Sequence, residues 1–131
     1  MKIYRAMTAD ADGLPLVGRS ARQLGVRTLD QMPHNDVNAA QAHDIVNPGE
    51  GMSAAPHDPG NLPKNRRPIH LHGGTGKDPV WETDTNDLGP QLQFIQDRPA
   101  HGVVAAKAPM TLAEFEEALA KTRTRWVRVI G

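Results

Sequence analysis

His70-Leu71-His72 places two imidazoles two positions apart. In an extended segment that spacing puts both rings on one face, where they can grip a divalent metal. A third or fourth ligand would have to come from His57, Asp78 or His101. No HExxH frame is present, and catalytic zinc needs three placed protein ligands. Two exposed loop histidines are the reading kept, and no metal is assigned. Gly73-Gly74-Thr75-Gly76-Lys77 offers backbone N–H groups and an ammonium to an anion. The spacing misses the Walker pattern, and Asp78-Pro79 and a strand follow where a phosphate loop would open a helix. Lys64, Arg66, Arg67 and Lys77 make the same stretch basic, with Asp58 its one acid. A phosphate-bearing ligand suits such a patch, and so does a merely solvated loop face. RNA suits it less, because the nearest aromatic for base stacking is Trp81.

Two further groups are less conspicuous. Asp97 and His101 flank a turn, four residues apart. A carboxylate beside an imidazole can serve as acid, base or polar clamp, or can simply pin the turn. Ser53 lies in Gly51-Met52-Ser53, without the GxSxG frame, so no Ser-His-Asp nucleophile elbow is expected.

The elements that must position these groups are short. Lys2 to Met7 reads as a strand with Ile3, Arg5 and Met7 on one face. Ser20 to Gly25 suggests one or two helical turns, and Asp44 to Val46 the start of a strand. Pro48 to Glu82 holds six Pro and six Gly, which favours an ordered, site-forming loop over a repetitive disordered one. Pro79 to Thr83, Leu92 to Gln96 and Gly102 to Ala106 read as strands. Thr111 and Glu114 have capping-box spacing, and Leu112, Phe115, Leu119, Thr122 and Trp126 follow at helical intervals. Acidic residues early and basic residues late suit the helix dipole. This helix, Thr111 to Arg125, is scaffold.

Taken in order, IYRAM, GEGMS, LQFIQD, His101 and AKAPM before a helix resemble a family of bacterial type VI secretion effectors. Those toxins have a fold similar to ADP-ribosyltransferase catalytic domains. The central NLPKNRRPIHLHGGTGKDPVWE also resembles uncharacterised bacterial relatives of that family. The resemblance spans most of the chain and implies an NAD pocket in a split, strand-rich sheet. It implies that Arg5 holds the dinucleotide, a task that suits the rigid guanidinium fork. Ser53 matches the family's hydroxyl at the nicotinamide ribose, and His101 its histidine before a late strand. Lys77, with Arg66, would be a phosphate or gating contact. Met52 stands where the toxin pattern has Thr. The carboxylate that ADP-ribosyl transfer needs beside the ribose is unplaced, with Glu82 and Asp97 the candidates by position.

Composition bounds these readings. At 131 residues, with aromatics only 4%, one domain over residues 1–131 and one modest core are expected. The expected class is α+β, a split antiparallel β-core with long loops and a C-terminal helix. Fifteen basic and fifteen acidic residues argue against a whole-surface field for polyanions or membranes. The lack of Cys removes thiolate catalysis and disulfides, and suits a reducing compartment. MKIYRAMTADADG has no secretory apolar run, so cytosolic action or signal-independent delivery is expected. The function expected is NAD-dependent ADP-ribosyl transfer or NAD cleavage by a toxin, with a neutralising antitoxin or immunity protein as its partner. The alternatives are a metal-independent ribonuclease-type toxin using His70 or His72 with Lys77, and a non-enzymatic binding module. Nucleic acid as an ADP-ribose acceptor is not favoured.

Overall fold

The computed structural model describes residues 1–71 and 73–131. Its strands are β1 (Lys2–Ala6), β2 (Ile45–Val46), β3 (Gly51–Pro56), β4 (Val80–Asp84), β5 (Leu92–Arg98), β6 (His101–Ala106), β7 (Met110–Thr111) and β8 (Val127–Ile130). Among the described residues there is one α-helix, α1 (Leu112–Lys121), between β7 and β8. Six strands form an antiparallel sheet in the order β5-β6-β3-β1-β4-β8, while β2 and β7 pair separately. The chain is therefore α+β, as its sequence suggests.

The sheet has a weak seam. β1 pairs with β4 over five positions, Lys2 to Ala6. It meets β3 at only two, Ile3↔Pro56 and Tyr4↔Ala55. Beyond Tyr4 the two strands part, so β1-β4-β8 and β3-β6-β5 form two halves with an opening between them. Backbone groups freed where strands part need other partners. Arg5 supplies some of them, as described below.

One core spans both halves. Ile3, Met52, Trp81, Leu92 and Val104 from the strands, and Met7 just past β1, pack with Leu112, Phe115 and Leu119 from α1. The helix starts as its sequence directs: Thr111 accepts from the Glu114 amide, and the Glu114 carboxylate accepts from the Thr111 amide. It ends at Lys121, short of Arg125, and Arg123–Arg125 form a 3-10 turn. Thr122 and Trp126 remain buried on the same side, their side chains joined by a Trp126 Nε1 to Thr122 Oγ1 bond of 3.0 Å. Chain reversal here lets Val127–Ile130 return as the edge strand β8 beside β4.

Two other expectations are corrected. Ser20 to Gly25 is not helical; it turns on a Gln23 N–H to Ser20 carbonyl bond and gives Leu24 to the core. The Gly- and Pro-rich centre is not all loop, because its Gly51–Pro56 stretch is the inner strand β3. Gly51 explains how that strand fits. A Cβ there would stand 2.1 Å from the Val104 carbonyl oxygen on β6. Gly51→Ala must push the two strands apart, and a loss of about 2–3 kcal/mol is expected by denaturant unfolding. An unchanged midpoint would mean the strands are not held so closely.

On the other side of the sheet, Tyr4 packs with Ala55, Leu62 and Val80. Its hydroxyl donates to Glu82 at 2.7 Å. Burial first, then the bond and charge of Glu82, raise its pKa to about 12. The fold thus favours the neutral phenol. Its contribution is complete below about pH 10, the unfolded value, and is lost as pH rises toward 12. Tyr4 is the chain's one tyrosine, so phenolate absorbance reports it alone. A native midpoint near 12, falling to about 10 in denaturant, is expected; a native midpoint near 10 would contradict the buried bond. No helix among the described residues is long and apolar enough to cross a membrane.

Candidate functional site

Where β1 and β3 part, a cavity of about 220 Å³ opens, lined by residues of both halves and by the segment around Arg66. Arg5, Ser53 and His101 all line it. They are far apart in sequence, and the sheet brings them together.

Arg5 sits in the wall as a buried cation. Its Nη1 donates to the Ser53 carbonyl at 2.7 Å, and Nε and Nη2 both donate to the Gln23 carbonyl at 3.2 and 2.9 Å. One fork therefore ties β1 to β3 and to the loop ahead of Leu24. Burial pulls the guanidinium down to about 10, which leaves it charged at neutral pH. Among the described residues no carboxylate is in ion-pair contact with it, although the charge of Asp36 opposes the effect of burial.

Two more guanidiniums line the cavity, and one carboxylate. Asp36 takes Arg27 through both oxygens, at 3.2 and 3.0 Å, and also accepts from the Arg27 amide at 2.7 Å. That pair is internally satisfied. The ion pairs among the described residues include neither Arg5 nor Arg66. Burial lowers the pKa of Arg66, opposed by the charge of nearby Asp78, which itself is held by Arg22. The cavity wall thus carries three guanidiniums, Arg5, Arg27 and Arg66, against one carboxylate, Asp36, whose charge also favours the protonated form of Arg5.

Ser53 and His101 occupy facing strands. Ser53 stands opposite Val103 in the β3–β6 register, so His101, two residues along, shares its side of the ladder. The His101 Nε2 atom lies 3.2 Å from Ser53 Oγ. Its Nδ1 lies 2.8 Å from Asp97 Oδ1. Asp97 reaches it through a bulge: Gln96 pairs with Gly102 and Arg98 with His101, leaving Asp97 as the extra residue. Such a bulge re-aims a side chain. The bond from His101 holds the Asp97 carboxyl below the usual range. Ser53, His101 and Asp97 thus form one hydrogen-bonded line. Ser53 sits within a strand and not on a strand-to-helix elbow, and its bond to His101 is made across the β3–β6 ladder.

The other candidates are placed elsewhere. Lys77 is exposed and does not line the cavity. Glu82 is engaged by Tyr4 and Lys2 and does not line it either. The glycines before Lys77 serve their own chain. A Cβ on Gly74 would lie 2.2 Å from the Arg67 carbonyl oxygen, and the Gly76 amide donates to that same oxygen at 2.6 Å. They allow the segment to fold closely against Arg66 and Arg67. His70 is exposed, and His72 lies outside the described residues. Among the described residues no group of three or more His, Asp or Glu could hold a metal ion. Arg27 and Asp36 are site residues the sequence does not single out; their nine-residue separation in a polar, aperiodic stretch carries no recognisable signal.

No protein-family model, curated protein or solved structure matches this chain.

Proposed function

We propose that this chain is an NAD-dependent ADP-ribosyltransferase-like domain that transfers ADP-ribose or cleaves NAD, and that it acts as a bacterial toxin in the cytosol. The observation that carries the reading is the meeting of Arg5, Ser53 and His101 on one cavity at the parting of the sheet. These are the residues to which the family resemblance attaches, and nothing in their sequence spacing requires them to meet.

The chemistry of the walls supports an anionic dinucleotide. Among the described residues neither Arg5 nor Arg66 is in an ion pair, so both are available to a pyrophosphate. Ser53 and His101 offer a hydroxyl and an imidazole to the nicotinamide ribose. Loss of nicotinamide develops oxocarbenium character at the ribose carbon, which a nearby carboxylate stabilises. Asp97 does not line the cavity and acts at that end only through the His101 ring it is bonded to. Glu82 falls away because Tyr4 occupies it, and the carboxylate on the wall, Asp36, is held by Arg27. A toxin of this kind in the cell that makes it requires a neutralising partner, for which the cavity mouth is the economical target.

Isothermal titration of the folded protein with NAD tests the premise. Saturable binding that weakens in Ser53→Ala and His101→Ala is expected. Absence of heat at millimolar NAD, with the protein folded, ends this reading.

A further inference from the structure

The line Ser53–His101–Asp97 is more than NAD binding asks for. Ribose contacts require a hydroxyl and an imidazole, but not a bond between them or a carboxylate behind the ring. The proton positions follow from the partners. Ionised Asp97 only accepts, so the hydrogen of neutral His101 lies on Nδ1 and points at Oδ1. The lone pair is then on Nε2, and Ser53 donates its Oγ–H to it. A serine hydroxyl is thereby bonded to a base that a carboxylate holds in the correct tautomer.

Rigid elements hold all three. Ser53 is on an inner strand, with its carbonyl fixed by Arg5 at 2.7 Å. His101 opens the neighbouring strand, and Asp97 is aimed by the bulge opposite it. Ser53 and His101 line the same cavity as the cations Arg5 and Arg66.

We propose that Ser53 is an activated nucleophile, and that this cavity hydrolyses esters whose acyl part carries a negative charge. Ser53 Oγ attacks the ester carbonyl carbon while its proton passes to His101 Nε2. The carbonyl electron pair moves to oxygen, where the guanidiniums on the cavity wall oppose the new charge. The carbon–oxygen bond to the alcohol then breaks, and the alcohol leaves with the proton from Nε2. Water repeats the sequence on the acyl-serine: it loses a proton to Nε2, adds to the carbonyl and releases the acid, and Ser53 regains its hydrogen. No oxidant, reductant or metal enters the balance. The anionic acyl group is selected because Arg5, Arg27 and Arg66 line the nucleophile's cavity against the single carboxylate Asp36.

A phosphonyl fluoride probe on the intact folded chain tests the nucleophile directly. One adduct is expected, mapped to Ser53 and absent in Ser53→Ala. His101→Gln, which keeps the ring's bulk and polarity, is expected to slow labelling by about 10²–10⁴-fold. Asp97→Asn is expected to slow it by about 10-fold or more with no change in the thermal midpoint, as befits a positioning residue. Turnover of the 4-nitrophenyl ester of succinate should exceed that of the acetate ester. Absence of an adduct on folded protein, or equal labelling in His101→Gln, overturns the proposal; equal turnover of the two esters overturns the anionic class. The NAD titration is read separately. NAD binding without an adduct removes the nucleophile and leaves the dinucleotide site, while an adduct without NAD binding does the reverse.

Discussion

Arg5→Ala is expected to destabilise the fold by about 3 kcal/mol, measured by denaturant unfolding. Three N–H groups of a buried cation disappear at once, and the Ser53 and Gln23 carbonyls lose their donors. Hydrogen bonds to charged groups are each worth about 1.5–3 kcal/mol, and a buried acceptor left empty costs about 1–3. Two effects reduce the sum. Burying the guanidinium is itself costly, as its lowered pKa indicates, and removing it recovers that cost. Water entering from the cavity can also satisfy part of what is lost. The bonds prevail because one fork closes the point where β1 and β3 part. Arg5→Lys keeps the charge but presents no planar fork, so it is expected to lose about 1–2 kcal/mol. A loss below about 1 kcal/mol for Arg5→Ala would mean that the seam is held by other contacts.

That expectation has a consequence for function. Arg5 holds the scaffold and, in the proposed function, a ligand anion as well, so loss of activity in Arg5→Ala mixes the two effects. His101 separates them. It is part-exposed at a hairpin, and the core does not include it. His101→Ala is therefore expected to leave the unfolding midpoint within about 0.5 kcal/mol of the wild type. Nicotinamide release from NAD should nevertheless fall by about 10²–10⁴-fold, the range for loss of a positioned acid or base. A matching loss of stability and activity would make His101 a hairpin clamp. Activity unchanged in a folded His101→Ala protein would remove it from the chemistry altogether.

What the sequence discloses follows physical lines. The capping box Thr111–Glu114 and the buried face of Leu112, Phe115 and Leu119 are local or periodic features, and all of them appear in the fold. Asp97 and His101 are four residues apart across a tight turn, so their contact is also local. Strand β3 is not legible. Gly51-Met52-Ser53-Ala54-Ala55-Pro56 contains no β-branched residue and lies among prolines and glycines, so its pairing on both sides overrides its propensity. The 3-10 turn that ends α1 early and releases β8 is similarly a tertiary outcome, tied by the buried Trp126–Thr122 bond.

The site shows the same division. Of its most visible motifs, His70 is exposed and His72 lies outside the described residues, while the glycines of GGTGK let the chain pack against Arg66 and Arg67. Ser53, plain in sequence, becomes the meeting point of three elements: Arg5 holds its carbonyl, and His101 and Asp97 line up on its hydroxyl. The bulge that aims Asp97 and the fork of Arg5 depend on strand register, which no local pattern carries.

The central claim, that the cavity between β1 and β3 receives NAD, is tested most directly by an experimental structure of the protein soaked with millimolar NAD. The pyrophosphate is expected within hydrogen-bond distance of the Arg5 and Arg66 guanidiniums, with the nicotinamide ribose at Ser53 and His101. A cavity left empty, or a dinucleotide bound away from Arg5, would contradict it.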